Sequence, residues 1–486
     1  MHFHQITDPR LAQNAYLIGC EQTRQALLID PQRDIDRYAA LADAHGLTIA
    51  AAADTHIHAD YLSGLRQCAH DWNVEVLVSG EGGEDWQYNW VRESEYRHRL
   101  LKDGDTYALG SIEVRVLHTP GHTPEHLTFL IAETSDAGSE PLALITGDFV
   151  FVGDVGRPDL LESAAGIQGT MRQSARVLFD SIQRFRKIDP SLRLWPGHGA
   201  GSACGKALGC DPSSTVGIEL EGNPSLCAAT DPDTFVEFIL ADQPEPPPYF
   251  ARMKRDNRDG PALLMQRPNP CRLTPIEVKR RLTDPRVAVL DCREWPEYSA
   301  GHFPGALYTP LNTSLTTSIG SYVQPHETVV VVCNESDVDE VVAACLNVGV
   351  DNVAGWLSPA DVSACERAGL PWQTTMALTV ADLPVNLSAA GITLLDVRRS
   401  AELKETGHIA GAWNIPHTQL LTRHEELPRD RTIHVLCRTG NRSGYAASYL
   451  QRLGYNVVYV GGGIVQWLEL GRPVLRTDPS TPISVV

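Results

Sequence analysis

The segment Asp54-Thr55-His56-Ile57-His58-Ala59-Asp60-Tyr61 follows an apolar run, residues 47–53, so two imidazoles and a carboxylate stand in the loop leaving a strand. Three later segments take the same form: Thr119-Pro120-Gly121-His122-Thr123, Thr146-Gly147-Asp148 and Trp195-Pro196-Gly197-His198-Gly199. Each delivers one His or Asp from the end of an apolar run, with glycine or proline shaping the turn. Core histidines scattered by chance do not repeat that form, and this ligand chemistry is that of a metal site. A second constellation lies near the other end. Cys437 closes the apolar strand 433–436 and is followed by Arg438, Thr439, Gly440, Asn441, Arg442, Ser443 and a helix-like run. A thiol there faces successive backbone N–H groups and the positive end of a helix dipole, with two arginines beside it. That is a cradle for a nucleophilic thiolate and for an anion.

These groups need a scaffold. Short apolar runs such as 25–30, 74–78 and 142–146 end in turn or polar residues, and helix-like stretches such as 170–187 lie between them, which predicts an α/β protein. The 486 residues suffice for about three domains. The proline-rich stretch 243–248 and the basic, polar segment after it predict a linker over 246–270, between a first domain at 1–245 and the rest. Beyond it the chain repeats. Asp291-Cys292-Arg293, Gly301-His302 and Cys333 recur as Asp396-Val397-Arg398, Gly407-His408 and Cys437, each about 105 residues later. A domain of that size stands alone, giving copies at 271–375 and 376–486, with a frayed tail from Asp478 to Val486. The earlier copy keeps Cys333 but follows it with Asn334-Glu335-Ser336-Asp337-Val338-Asp339-Glu340. Those acids are expected to raise its thiol pKa and repel anions.

Lys and Arg total 41 against 60 Asp and Glu, a formal charge of −19, which argues against nucleic-acid binding. No apolar run approaches a membrane span and no secretory signal is visible, so a soluble, cytoplasmic protein is expected, away from membranes. Eleven cysteines with no Cys-x-x-Cys fit neither a disulfide framework nor a zinc knuckle.

The four N-terminal segments resemble the metallo-β-lactamase fold, an αββα sandwich whose loops line one metal cleft. In its dinuclear zinc hydrolases another histidine follows the first motif; here that position is Tyr61, which favours one metal. Within the fold, the chain is most similar to the persulfide dioxygenases, including those fused to rhodanese domains. The runs 147–160 and 199–206 share that likeness. The resemblance implies one Fe(II) per chain on His56, His122 and Asp148, with open positions for substrate and O₂, and His58, Asp60 and His198 in support. Tyr61, Arg157, Cys204 and Lys206 become possible substrate contacts. Arg157 and Lys206 would hold carboxylates of glutathione or coenzyme A, or else pair with Asp154 or Asp159; Cys204 would carry sulfur or merely pack.

Four residues separate Cys437 from Arg442, whereas cysteine phosphatases need five. The shorter loop resembles a rhodanese domain, which relays sulfane sulfur as a cysteine persulfide, and the earlier copy resembles a degenerate one. The resemblance thus implies a metallo-β-lactamase domain followed by two rhodanese-like α/β domains. It would oxidise glutathione persulfide, coenzyme A persulfide or a similar small persulfide with O₂ to sulfite, with Cys437 exchanging sulfur among persulfide, sulfite and thiosulfate in sulfide detoxification. The direction of that exchange stays open. More than one copy is expected in the assembly. The rival reading is a zinc-dependent thioester hydrolase of the glyoxalase II kind, fused to a sulfur-carrying rhodanese.

Overall fold

The computed structural model describes residues 1–135, 138–163 and 169–476; the expected tail from Asp478 to Val486 lies outside them. The chain divides into two compact units, Met1–Arg267 with Leu346–Gly349, and the remainder from Pro268 onward.

The first unit is built on two six-stranded sheets. One runs in chain order through His2–Asp8, Gln13–Gly19, Gln25–Ile29, Thr48–Ala53, Glu75–Ser79 and His98–Leu101, antiparallel at first and parallel from the third strand on. The other is ordered Ser214–Thr215, Arg193–Pro196, Gly138–Gly147, Leu127–Ser135, Ile112–His118 and Thr106–Leu109. Side chains alternate across each strand. Leu27 and Ile29 therefore face Val116, Phe129 and Ile145 between the sheets, while Ala26 and Leu28 face the helices Asp36–Ala44 and Leu65–Trp72 outside. The helices Met171–Phe185 and Pro232–Leu240 cover the outer face of the second sheet. This is the αββα sandwich. The apolar runs at 25–30, 74–78 and 142–146 are strands as expected, and 170–187 is a helix over Met171–Phe185.

The expected linker over 246–270 is a correction. Residues 246–267 pack within the first unit, and Phe250–Asp259 is a helix with Phe250, Met253 and Asn257 buried. The prolines at 244, 246, 247 and 248 lie outside that helix, and the polar residues after them alternate with apolar ones at helical spacing.

In the second unit each repeat carries a parallel sheet. The earlier one is ordered Leu307–Tyr308, Val287–Asp291, Thr328–Val332 and Val353–Leu357. The later one is ordered Met376–Thr379, Val457–Gly461, Ile433–Leu436, Thr393–Asp396 and Trp413–Asn414. Where the later copy has the edge strand Met376–Thr379, the earlier one has a single bridge, Arg272 to Trp356. Both copies share a buried brace. Arg293 grips Asp291 through two nitrogens, at 2.8 and 2.6 Å, and donates to the Gly301 carbonyl; Arg398 does the same with Asp396 and the Gly407 carbonyl. The repeated Asp-x-Arg is thus a fold element that ties strand to loop. No helix among the described residues is long and apolar enough to cross a membrane.

Candidate metal centre and nucleophilic cysteine

His56, His122 and Asp148 converge, with one donor atom of each within 4.8 Å of the others. All three are buried, to 1%, 2% and 1% exposure. His56 Nε2 stands 3.9 Å and His122 Nε2 3.5 Å from Asp148 Oδ2. Hydrogen bonds behind the rings fix which nitrogen carries the proton. His122 Nδ1 lies 3.0 Å from the Arg157 carbonyl, which can only accept, so Nδ1 bears the hydrogen and Nε2 the lone pair. Thr55 Oγ1 gives its single hydrogen to Asp30 and so accepts from His56 Nδ1 at 3.0 Å, again leaving Nε2 free. Burial, joined by neighbouring histidine charges, pushes the His56 pKa well down; burial also lowers that of His122, against the pull of Asp148. Both rings are neutral donors.

Asp148 comes from the turn after the strand Gly138–Gly147. Its backbone N–H donates to His126 Nε2 at 3.0 Å, and His126 Nδ1 lies 2.9 Å from Thr119 Oγ1. Neither carboxylate oxygen has a hydrogen-bond partner among the described residues. A buried carboxylate facing imidazole lone pairs is unfavourable unless a cation joins it. The three side chains therefore fit a divalent metal. Gly197 allows the close approach: a Cβ there would sit 2.6 Å from Asp148 Oδ1.

His58 is held through one of its two ring nitrogens. Its Nε2 pairs with Asp30 Oδ1 at 3.2 Å and approaches Asp54 Oδ1 at 4.0 Å. Burial would lower its pKa, but Asp30, Asp54 and Asp60 outweigh that and raise it to about 9. Its Nδ1 is buried with no hydrogen-bond partner among the described residues. Asp60 and His198 face the cluster from the other side, with His198 Nε2 3.4 Å from Asp60 Oδ2 and 3.6 Å from Asp148 Oδ1. With Cys204 they make a second three-donor group whose ligand atoms lie within 4.8 Å of one another. The Cys204 thiol is pushed far up, by burial first and then by Asp148 and Asp60.

For Arg157 the structure takes the ion-pair alternative, and the Lys206 ammonium is engaged by a carbonyl rather than by Asp154 or Asp159. Arg157 is buried and spent on Asp159, at 2.8 and 2.6 Å, and its carbonyl rather than its guanidinium serves the site. Lys206 Nζ donates to the Phe238 carbonyl at 3.0 Å. Tyr61 is also engaged: its hydroxyl accepts from Gln13 at 3.2 Å and donates to the Asp30 carbonyl at 3.4 Å, so it does not stand in as a ligand. Sequence reasoning missed Asp30, Glu125, His126 and Asn257. Asn257, on the helix Phe250–Asp259, donates to the His58 and Tyr61 carbonyls at 2.8 and 2.7 Å and accepts from Ser63 N–H, so it clamps the His-x-His loop. Glu125 accepts from Ile57 N–H at 2.8 Å. Glu125 and His126 could have been noticed, because they extend the His122 segment; nothing local marks Asn257.

In the second unit, Cys437 ends the strand Ile433–Leu436 and is 1% exposed. Gly440 N–H donates to its sulfur at 3.1 Å, and the helix Asn441–Arg452 starts immediately after. Gly440 has φ +125°, and a Cβ there would meet Tyr459 Oη at 2.4 Å, so only glycine presents that amide. Arg438 and Thr439 are exposed, Asn441 is exposed, and Ser443 is buried with no partner for its hydroxyl among the described residues. Arg442 is held by Glu402 through two bonds, at 2.5 and 2.7 Å, so its charge is already shared with a carboxylate. In the earlier copy the Cys333 pKa rises to about 12, through burial first and Asp337 second. Desolvation, more than the run of acids, keeps that thiol neutral.

Fold and clefts together define a metal-binding α/β-sandwich joined to a pair of cysteine-loop domains. Residues 8–198 match the metallo-beta-lactamase superfamily, and residues 274–357 and 379–470 each match the rhodanese-like domain. Over 74% of its length the chain is similar to the crystal structure of a metallo-beta-lactamase from Staphylococcus aureus subsp. aureus COL, with 34% identity, 99% of that chain covered and a TM-score of 0.64. The chain belongs to the metallo-β-lactamase superfamily, and its later part consists of two rhodanese-like domains. It is also 31% identical over 252 residues to a beta-lactamase hydrolase-like protein of Xylella fastidiosa (strain 9a5c), covering 47% of this chain and 53% of that one. A hydroxyacylglutathione hydrolase of Rhodospirillum rubrum is 29% identical over 183 residues, 38% of this chain and 60% of its own. The chain spans about half the length of the first curated relatives it matches.

Proposed function

We propose that the chain is an Fe(II)-dependent persulfide dioxygenase joined to a rhodanese sulfurtransferase. The observation that carries this reading is the donor set: two neutral imidazoles and one otherwise unpartnered carboxylate, with His58 Nε2 paired to Asp30. Two histidines and a carboxylate on one face suit Fe(II), which supplies the one-electron chemistry that O₂ needs to react with a spin-paired persulfide and that zinc lacks. The chain's own residues prepare that set. Thr55 and the Arg157 carbonyl hold the rings in the tautomer that points a lone pair inward, and Asn257 holds the loop. Cys204 places a neutral thiol beside Asp148, suited to meet the sulfur of an incoming persulfide. Overall, a persulfide RSSH, O₂ and water give the thiol RSH, sulfite and two protons.

Cys437 would then attack a sulfane sulfur. With thiosulfate as donor, the new S–S bond forms on Cys437 as the thiosulfate S–S bond breaks, and sulfite leaves with the electron pair. Run the other way, sulfite accepts sulfur from the Cys437 persulfide and departs as thiosulfate. Gly440 N–H supports charge on the sulfur during either exchange.

The test is metal analysis with oxygen uptake. Protein carrying one iron per chain should consume O₂ with glutathione persulfide or coenzyme A persulfide, and His122→Ala should lose iron and lower uptake by about 10²-fold or more. A second reading, a zinc thioester hydrolase, is favoured by the second donor group of Asp60, His198 and Cys204, which offers room for two metals. Zinc in the isolated protein, hydrolysis of a glutathione thioester and no O₂ uptake would establish it instead.

A further inference from the structure

Three histidines of the first unit, outside the central cluster, have no part in the chemistry above. His2 and His4 alternate with Phe3 on the edge strand His2–Asp8, so they share one face while Phe3 turns to the other, against Tyr16 and Trp195. His45 closes the helix Asp36–Ala44, its N–H fixed on the Ala42 carbonyl at 3.1 Å. The three rings gather, with centroids 4.2 Å apart for His4 and His45, 5.7 Å for His2 and His45, and 6.2 Å for His2 and His4. One nitrogen of each lies within 4.8 Å of the others.

We infer that His2, His4 and His45 form a second metal site, separate from the central one, that binds a borderline divalent cation such as Zn²⁺ and ties the first strand to the end of the first helix. His4 Nε2 is buried with no hydrogen-bond partner among the described residues, which is unfavourable for a polar ring nitrogen unless something coordinates it. Tetrahedral zinc on three imidazoles needs nitrogens about 3.3 Å apart, given bonds of about 2.0–2.1 Å. All three side chains are partly exposed, so small ring rotations close the distance, and water takes the fourth position. The donors are all nitrogen, whereas the central cluster mixes nitrogen with a carboxylate. By ligand preference the N₃ site selects zinc, copper or nickel over iron.

The experiment adds zinc to full-length protein whose metal content has been measured, then removes loosely held metal by gel filtration. Wild-type protein should retain one more zinc per chain than the His2→Asn/His45→Asn double variant, with the metal content of the central site equal in both. Cobalt in place of zinc should give the wild type the intense visible absorption of a tetrahedral site, absent from the double variant. Equal zinc retention by the two proteins, or no zinc retained beyond the central site, would overturn the assignment. Both substitutions are polar and lie at partly exposed positions, and equal thermal unfolding of the two zinc-free proteins checks that the fold is kept.

Discussion

The two rhodanese-like copies hold a cysteine at the same place, the C-terminal end of a central parallel strand, and treat it in opposite ways. After Cys437 the chain turns through Gly440, whose amide points at the sulfur, and enters a helix of twelve residues. After Cys333 it passes through a short turn, Glu335–Asp337, into the helix Val338–Asn347, and the charge of Asp337 acts on the thiol. The shared features are the ones that build the sheet: the strand and the Asp-x-Arg brace. The features that differ are the ones that stabilise negative charge. A duplicated domain can thus keep its fold while the loop after its cysteine changes what surrounds the sulfur.

That contrast can be broken outright. Cys437→Ser should lower sulfur transfer from thiosulfate to cyanide by at least about 10³-fold, while Cys333→Ser leaves it unchanged; equal losses would mean both copies act. Gly440→Ala should cost about 10²-fold, the usual loss when one preorganised donor is removed, because the new Cβ collides with Tyr459 Oη and displaces the amide. Alkylation sharpens the comparison. With its pKa near 12, Cys333 should react about tenfold faster for each unit of pH from neutral to about 12, since only the thiolate attacks. A plateau near pH 8 would contradict its burial and the charge of Asp337. The smallest effect concerns the partner of Arg442. Burial would raise the Glu402 pKa, but the bonds and charge of Arg442 overcome that and hold it at about 2. Because this pKa is depressed, its stabilisation is present above the ordinary carboxylate value of 4.5 and is lost as pH falls toward 2. Glu402→Gln should therefore cost about 1–2 kcal/mol in urea unfolding of the full chain at pH 7 and much less at pH 3.

Much of this was legible in the chain. The four His and Asp segments stand at strand ends because apolar runs followed by Gly or Pro turns write strand-and-loop directly, and the duplication could be read from its offset. The linker was misread, since the prolines outweighed a helical pattern that begins two residues after the last of them, at Phe250. For Arg157 the sequence left a ligand contact and an ion pair with a nearby aspartate both open, because its charge is visible in the chain while its burial against Asp159, which decides between them, is not. Asn257 was invisible: its two donated bonds reach carbonyls nearly two hundred residues earlier, and backbone carbonyls carry no sequence signal.

The sequence by itself therefore determined the donor types, their order and the cysteine loop with its glycine, because these depend on residue chemistry and near-neighbour turns. Only the tertiary structure decided which of the donors face one another. It paired His58 Nε2 with Asp30, left Asp148 between two imidazole lone pairs, gave Arg442 to Glu402, and gathered His2, His4 and His45 from a strand and a helix end. Each of those outcomes depends on distances of a few ångströms between segments remote in the chain, where burial and pairing determine charge state, and no local pattern encodes them.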